Sequence, residues 1–400
     1  MSQPFGFEQD VATHVCKLNK SLYGLKQALR EWFLKLSTTL QSFGFQSTKS
    51  DINLFIKRGL NYLIYILCYV DDIIMTSNDA IEIDNMILKL HNTFTLKDLG
   101  PLSYFLGIEV HWNNTSQLHL SQTKYITDLL SKLGMSEASA MLTPMISALQ
   151  LLSTGSERFE DLKLFRFVVG ILQYITITRP DLSYDVSKVS QFMHSPLLAY
   201  GKAVKRILQY LQGTKHHGFV YLKCTDYRLY IFSDLDWAAD LEDRRSVSSY
   251  CVFLGTNLIS GSCKKQTTIS RSSTEAKFRS LAACETKLVW IRNLLLELQI
   301  EVPTVLAIYC DNLSIVLLTA NPVLHTKTKH FQLDIQFVRD KVNSKQPQIV
   351  HILGIEQIVD MLTKPLSTSS FERLKTKLRV VFRHNLSLKR GIEDIKGKIE

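Results

Sequence analysis

The amino-acid sequence predicts an α+β segment followed by an α/β domain built on a five-stranded mixed sheet with helices. Three observations carry that reading. Residues 229–240, LYIFSDLDWAAD, alternate with period two and run into carboxylates. Beyond them the patterns follow in the order β-β-β-α-β-α-β-α, with an acid at the end of the first strand, the start of the long helix, the end of the fourth strand and in the last helix. Ahead of them, residues 61–77 form two apolar runs meeting at Asp71-Asp72, which reads as a hairpin with carboxylates at its tip.

Whole-chain properties bound the partners. Four hundred residues suggest two or three domains. With 46% hydrophobic and 21% charged residues the chain is globular, not disordered. The longest apolar run, residues 62–70, is too short to span a bilayer, and MSQPFGFEQD lacks a signal-peptide pattern. An intracellular location, cytoplasmic or nuclear, with no membrane partner is therefore expected. Seven cysteines with no CxxC pair fit a reducing compartment and argue against a structural zinc site. A net charge of +10 fits a polyanion partner, most simply nucleic acid.

Taken in order, residues 1–15 carry no clear core pattern and read as an entry in mid-domain. Trp32, Phe33, Leu36 and Leu40 recur at helical spacing, and Gly44 can end that helix. Before it, Lys17, Lys20, Lys26 and Arg30 interleave with Leu22, Tyr23, Leu25 and Gln27, as a phosphate-contacting approach or an ordinary solvated helix start. Residues 80–97 read as an amphipathic helix, and 99–112 with 117–122 as a second hairpin before the helix KYITDLLSKLGM. Residues 141–163, with Pro144 and Gly155, are the linker candidate. Residues 164–215 are helical and basic: Val204, Ile207, Leu208 and Leu211 form an apolar stripe, while Lys202, Lys205, Arg206 and Lys215 support a duplex or are simply solvated.

The C-terminal pattern is the clearest. The strand ending at Asp234 is followed by strands over 249–255 and 257–266, then a long helix from Ser273 whose Leu281, Cys284, Leu288, Ile291 and Leu295 lie three and four apart. TVLAIYC ends at Asp311-Asn312, and QIVHIL precedes a helix holding Asp360. Each acid has an ordinary structural reading. Asp234 and Asp311-Asn312 suit turns, Ser272 with Glu275 spells a capping box, and Asp360 suits a helix start. Asp71-Asp72 suits a tight turn, or a divalent cation relieves its repulsion. Together, Asp234, Glu275, Asp311 and Asp360 fit phosphodiester hydrolysis by two metals about 3.5–4 Å apart.

The motifs KLNKSLYGLKQALREW, YVDDIIMTS, LKDLGPLSYFLGIEV, ILQYITITRPDL, SDLDWAAD, SRSSTEAKFRSL, YCDN and DMLTKPL occur in that order. The chain resembles the C-terminal part of copia-type retrotransposon polyproteins, covering reverse transcriptase and ribonuclease H, from residue 1 to 382. The resemblance implies an incomplete reverse transcriptase palm and thumb, followed by a ribonuclease H-like domain. It divides the chain into a partial reverse transcriptase over 1–140, a linker and helical thumb or connection segment over 141–225, the ribonuclease H-like domain over 226–366 and a basic tail over 367–400. It makes Asp71 and Asp72 polymerase aspartates and places Tyr23, Gly24, Leu25, Lys26 and Gln27 near template and nucleotide. Phe105, Leu106 and Gly107 become the primer-holding hairpin. Asp234, Glu275, Asp311 and Asp360 become metal ligands for a two-metal site of Mg²⁺ or Mn²⁺, and His351 a mobile-loop histidine that aids product release. The implied partners are RNA template, DNA primer and RNA–DNA hybrid.

Departures mark this chain. Leu29 replaces proline in LKQAPR, Gly261 tryptophan in ISWSSKKQ, Lys277 glutamate in STEAEYR, and Tyr200 a usual histidine. The missing indole at 261 is expected to leave a cavity costing roughly 3–5 kcal/mol. The family's third polymerase aspartate lies upstream of MSQPFGF, so these 400 residues alone are expected not to extend a primer. Three outcomes fit these features: a fragment that keeps ribonuclease H chemistry, a dead nucleic-acid-binding relic, or a free-standing Mg²⁺ nuclease. Primer extension on an RNA template with Mg²⁺ checks the polymerase expectation. Template-dependent product abolished by Asp71→Asn overturns it.

Overall fold

The computed structural model of the chain describes residues 6, 14–19, 22, 24–113, 117–146, 151–152, 157–223, 225–303, 307–320, 338 and 347–382. The chain divides into two compact units, residues 1–100 with 297–299, and residues 101–296 with 300–400. Among the described residues no helix is long and apolar enough to cross a membrane.

The first unit runs α1 (Ala28–Ser42), β1 (Gln46–Ser47), β2 (Leu54–Arg58), β3 (Leu63–Tyr69), β4 (Asp72–Ser77) and α2 (Ala80–His91). Its strands make one antiparallel sheet in sequential order. Alternation along β3 turns Ile64, Ile66 and Cys68 into a core shared with Phe55, with Leu36 and Leu40 of α1, and with Met86 and Leu90 of α2. Helix α2 begins where Asp79 accepts the Ile81 N–H at 2.9 Å. It ends at His91 rather than 97, before Asn92 and Thr93, residues that favour helix ends. Phe94 still reaches the core, edge-on to Trp32 at 5.3 Å.

The second unit runs β5 (Tyr104–Phe105), β6 (Ile108–Trp112), β7 (Leu118–Ser121), α3 (Thr123–Lys132), α4 (Leu162–Ile175), α5 (Ser183–Ser190), α6 (Leu198–Thr214), β8 (His217–Tyr221), β9 (Leu229–Asp236), β10 (Val247–Leu254), β11 (Asn257–Lys265), α7 (Ser273–Glu297), β12 (Ala307–Cys310), α8 (Leu313–Ala320), β13 (Gln348–His351), α9 (Asp360–Thr363), α10 (Thr368–Lys377) and β14 (Val380–Phe382). One sheet has the order β14-β8-β7-β6-β5. Strands β8 and β14 are additions to the expected elements, and they tie residues 217–221 and 380–382 to the 104–121 hairpins. Boundaries at 140, 225 and 366 therefore do not coincide with the compact units. Gly218 permits that closure: a Cβ there would lie 2.3 Å from the Leu120 carbonyl oxygen.

The other sheet has the order β11-β10-β9-β12-β13. Its first three strands are antiparallel, whereas β12 runs parallel to both β9 and β13, so it is mixed and five-stranded as expected. Leu229, Ile231, Val252 and Ile308 meet Phe278, Leu281, Cys284, Leu288 and Ile291 of α7 on one face. Phe232, Cys251 and Phe253 join the α4–α6 core on the other. Burial on both faces explains the apolar start of β9, Leu229–Phe232. This strand continues through Asp236, pairing Leu235 with Ser248, so Asp234 lies within the strand and not at its end.

The departures acquire physical settings. Gly261 is exposed on edge strand β11, and a Cβ there would make ordinary contact with Leu362 at 3.7 Å. The missing indole therefore leaves no core cavity, and the expected core penalty does not arise. Tyr200 is buried, its ring stacked on Phe192 at 4.1 Å and its hydroxyl donating to the Leu152 carbonyl. Leu29 sits exposed in the first turn of α1, where proline is also tolerated.

One half-buried histidine is expected to make this unit acid-sensitive. Burial first, then the charges of Arg179 and Lys375, push His217 from 6.5 down to about 4. Its Nδ1 is buried without a hydrogen-bond partner among the described residues. A lowered folded pKa means that stability held above 6.5 is lost as pH falls towards 4. Discounted for partial exposure, the loss is on the order of 2 kcal/mol. Urea unfolding at neutral and acidic pH checks it: His217→Leu should lose this component of the pH slope, and an unchanged slope refutes the assignment.

Candidate functional site

Strand register assembles the C-terminal candidates. Parallel pairing sets Cys310 beside both Ser233 and His351. The next residues, Asp311 and Asp234, therefore leave neighbouring strands side by side, at a strand spacing of about 4.8 Å. His351 is the exposed last residue of β13 in the same row, a strand position and not the expected mobile loop. Asp360 opens α9, which is tied down across the sheet. Thr363 Oγ1 donates to Asp234 Oδ2 at 2.8 Å, Ser249 Oγ to the Leu362 carbonyl at 2.8 Å, and Gln357 Nε2 to the Ser233 carbonyl at 3.0 Å.

Cations of the chain itself answer these acids. Lys364 Nζ lies 2.9 Å from Asp360 Oδ1, and Lys277 Nζ 3.3 Å from Asp311 Oδ1. Burial alone would lower the Lys364 pKa; Asp360, Asp234 and Asp311 outweigh it and hold the ammonium above the usual lysine range. Burial and the nearby Asp234 charge push Asp360 up to about 6, against the opposing pull of Lys364. Asp236 is raised for the same two reasons, burial and Asp234. Lys364 is thus ion-paired to Asp360, with the charges of Asp234 and Asp311 acting on it as well. Carboxylate oxygens are the donor type that Mg²⁺ or Mn²⁺ takes, and here lysine ammoniums pair with Asp311 and Asp360.

Glu275 is engaged differently. It is buried in the first turn of α7, its N–H donating to Ser272 Oγ at 3.1 Å and its Oε2 accepting the Arg271 N–H at 2.9 Å. Its Oε1 is ion-paired to Arg279 at 2.8 Å. The Ser272 half of the foreseen capping box is therefore present, and the Glu275 side chain reaches the N–H one residue earlier, that of Arg271. Among the described residues no group of three or more His, Cys, Asp or Glu side chains is already placed to hold a metal ion.

The first unit presents the other carboxylates. Tyr69 pairs with Asp72 across a two-residue turn, Val70-Asp71, and both aspartates are exposed. Val70 has φ +54°, a left-handed conformation costly for a β-branched residue. The Trp32 indole N–H donates to its carbonyl at 2.7 Å, so α1 pins the strained tip. Gly24 is in a turn at φ +90°, and Leu25, Lys26 and Gln27 lead into α1. Tyr23 lies outside the described residues.

In the second unit, Phe105 pairs with Ile108 around Leu106-Gly107, both at positive φ as a tight hairpin turn requires. The Tyr174 hydroxyl donates to the Leu106 carbonyl. Residue-by-residue reading missed Thr363, Gln357 and Lys364 as organisers of the acids. The Thr-Lys pair inside DMLTKPL was the only local signal for two of them, Thr363 and Lys364.

A family model described as reverse transcriptase (RNA-dependent DNA polymerase) matches residues 1–147. The retrovirus-related Pol polyprotein from transposon RE1 of Arabidopsis thaliana is 44% identical over 381 residues, covering 95% of this chain and 26% of that protein. That from transposon TNT 1-94 of Nicotiana tabacum is 35% identical over 387 residues, 94% of this chain and 29% of that protein. The chain belongs to the copia-type retrotransposon Pol family. An uncharacterized mitochondrial protein of Arabidopsis thaliana is 44% identical over 226 residues, 56% of this chain and 93% of its own length. The chain spans 26% of the RE1 polyprotein, about a quarter. Within this copia-type Pol chain the departure at 277 falls on the site itself, because Lys277 is the partner of Asp311.

Proposed function

We propose that this chain is a reverse transcriptase and ribonuclease H portion of a copia-type Pol protein whose retained chemistry is hydrolysis of the RNA strand of RNA–DNA hybrids. The observation that carries it is the parallel register of β9 and β12, which brings Asp234 and Asp311 off neighbouring strands, with the helix of Asp360 bonded to Asp234 through Thr363. Asp234, Asp311 and Asp360 are the residues that would hold Mg²⁺ or Mn²⁺, which would supply neutralisation of charge on the reacting oxygens. Thr363 orients Asp234 through its hydroxyl, and His351, exposed on the neighbouring strand, is the residue assigned to product release. Hybrid preference is ascribed to minor-groove shape and 2′-hydroxyl contacts.

In this reading the Asp71-Asp72 hairpin and the Phe105–Gly107 turn are the palm tip and the primer-holding hairpin for RNA template and DNA primer. The protein acts inside the cell, in cytoplasm or nucleus. A second reading, a binding relic without hydrolysis, is favoured by the ion pairs of Glu275 with Arg279 and Asp311 with Lys277. Cleavage of a labelled RNA–DNA hybrid with Mg²⁺ separates the two: cleavage lost in Asp234→Asn supports hydrolysis, and no cleavage by folded wild-type chain supports the relic.

Both readings expect electrostatic hybrid binding from the +10 charge. If six or more phosphates are contacted, affinity should fall about a thousandfold between about 50 and 200 mM salt. A flat salt response removes nucleic acid as the partner.

A further inference from the structure

We infer that Lys277 is a built-in counter-ion for Asp311 that competes with the divalent cation, so that this one side chain sets the metal affinity of the carboxylate site. The inference rests on the site being a cation site, as proposed above. Lys277 follows Glu275 by two residues on α7, and its ammonium reaches across to β12, 3.3 Å from Asp311 Oδ1. The pair is largely shielded, the side chains of Lys277 and Asp311 being 14% and 27% exposed. Salt and water therefore screen it less than a surface pair.

Lys364 already answers Asp360 at 2.9 Å. Asp234, Asp311 and Asp360 contribute three negative charges, and Lys277 and Lys364 two positive ones, which leaves −1 for an entering dication. Removing Lys277 restores this to −2 and frees an oxygen of Asp311. A lysine is suited to the role because its charge is a compact point on a flexible stem, able to leave when a stronger cation enters.

Calorimetric titration of the full chain with Mn²⁺, without nucleic acid, tests this. Lys277→Gln should bind Mn²⁺ about tenfold more tightly than wild type, whereas Lys277→Arg, which keeps the charge, should bind like wild type. In an Asp311→Asn background the Lys277→Gln gain should vanish, since the partner is gone. Equal Mn²⁺ affinity in wild type and Lys277→Gln, with binding lost in Asp234→Asn, overturns the competition and leaves the site reading standing. Mn²⁺ binding indifferent to both Asp234→Asn and Asp311→Asn overturns the site reading and the competition with it.

Discussion

Asp181→Ala is expected to cost the second unit about 3–5 kcal/mol, the penalty for stranding a buried guanidinium without its counter-charge. Arg179 and Asp181 are both fully buried. The guanidinium donates twice to the carboxylate, Nε to Oδ1 at 3.0 Å and Nη2 to Oδ2 at 2.8 Å. Its other donors reach the Thr214 carbonyl and hydroxyl, both at 2.9 Å. The Tyr210 hydroxyl adds a 2.6 Å bond to Asp181 Oδ2. Burial would raise the Asp181 pKa, but Arg179 and Tyr210 outweigh it and hold the carboxyl below its usual range.

The network joins the segment after α4 to the end of α6, so breaking it loosens the core that supports one face of β9. A loss of this size is comparable with the whole stability of a modest domain. Urea unfolding followed by circular dichroism measures it. Arg179→Met with Asp181→Leu, which removes both charges, should recover most of the loss. A loss below about 1 kcal/mol in Asp181→Ala would mean that water or a rearranged partner satisfies Arg179.

The hairpin tip at Asp71-Asp72, strand β9 and helix α7 were legible because each signal is local: period two, period 3.6, and an acid where the pattern changes. The five strands of the C-terminal sheet were expected from those patterns, but their order across the sheet comes from the structure. Arg179 and Asp181 were visible only as part of the motif ILQYITITRPDL. Nothing local marked them for burial, which depends on Thr214 and Tyr210 of α6 meeting them. Strands β8 and β14 were missed because such short strands are defined by their partners and not by their own composition. The ion pairs at the acids were invisible for the same reason. Lys277 meets Asp311 only once α7 lies over the sheet, a contact between residues 34 positions apart. The settings of Gly261 and Tyr200 were equally non-local, since exposure on an edge strand and a stacked ring depend on the assembled unit.

Asp234→Asn is expected to reduce cleavage of an RNA–DNA hybrid by at least about a thousandfold, the loss of roughly 4 kcal/mol of transition-state stabilisation. The substitution is chosen because it changes charge and little else. Asp234 is buried in β9, and an asparagine keeps a carbonyl oxygen to accept the Thr363 hydroxyl that now lies 2.8 Å from Oδ2. The strand register with Ser249 involves backbone only and is untouched. What disappears is one of the negative charges around Lys364, and with it the attraction for a divalent ion. Glu275→Gln should act less cleanly, because Glu275 also accepts the Arg271 N–H and pairs with Arg279 at the start of α7. Its variant should lose activity together with some stability, whereas Asp234→Asn should lose activity alone. Circular dichroism and thermal unfolding of each protein separate those effects. Equal cleavage by wild type, Asp234→Asn and Glu275→Gln would show that the activity belongs to another site or another protein.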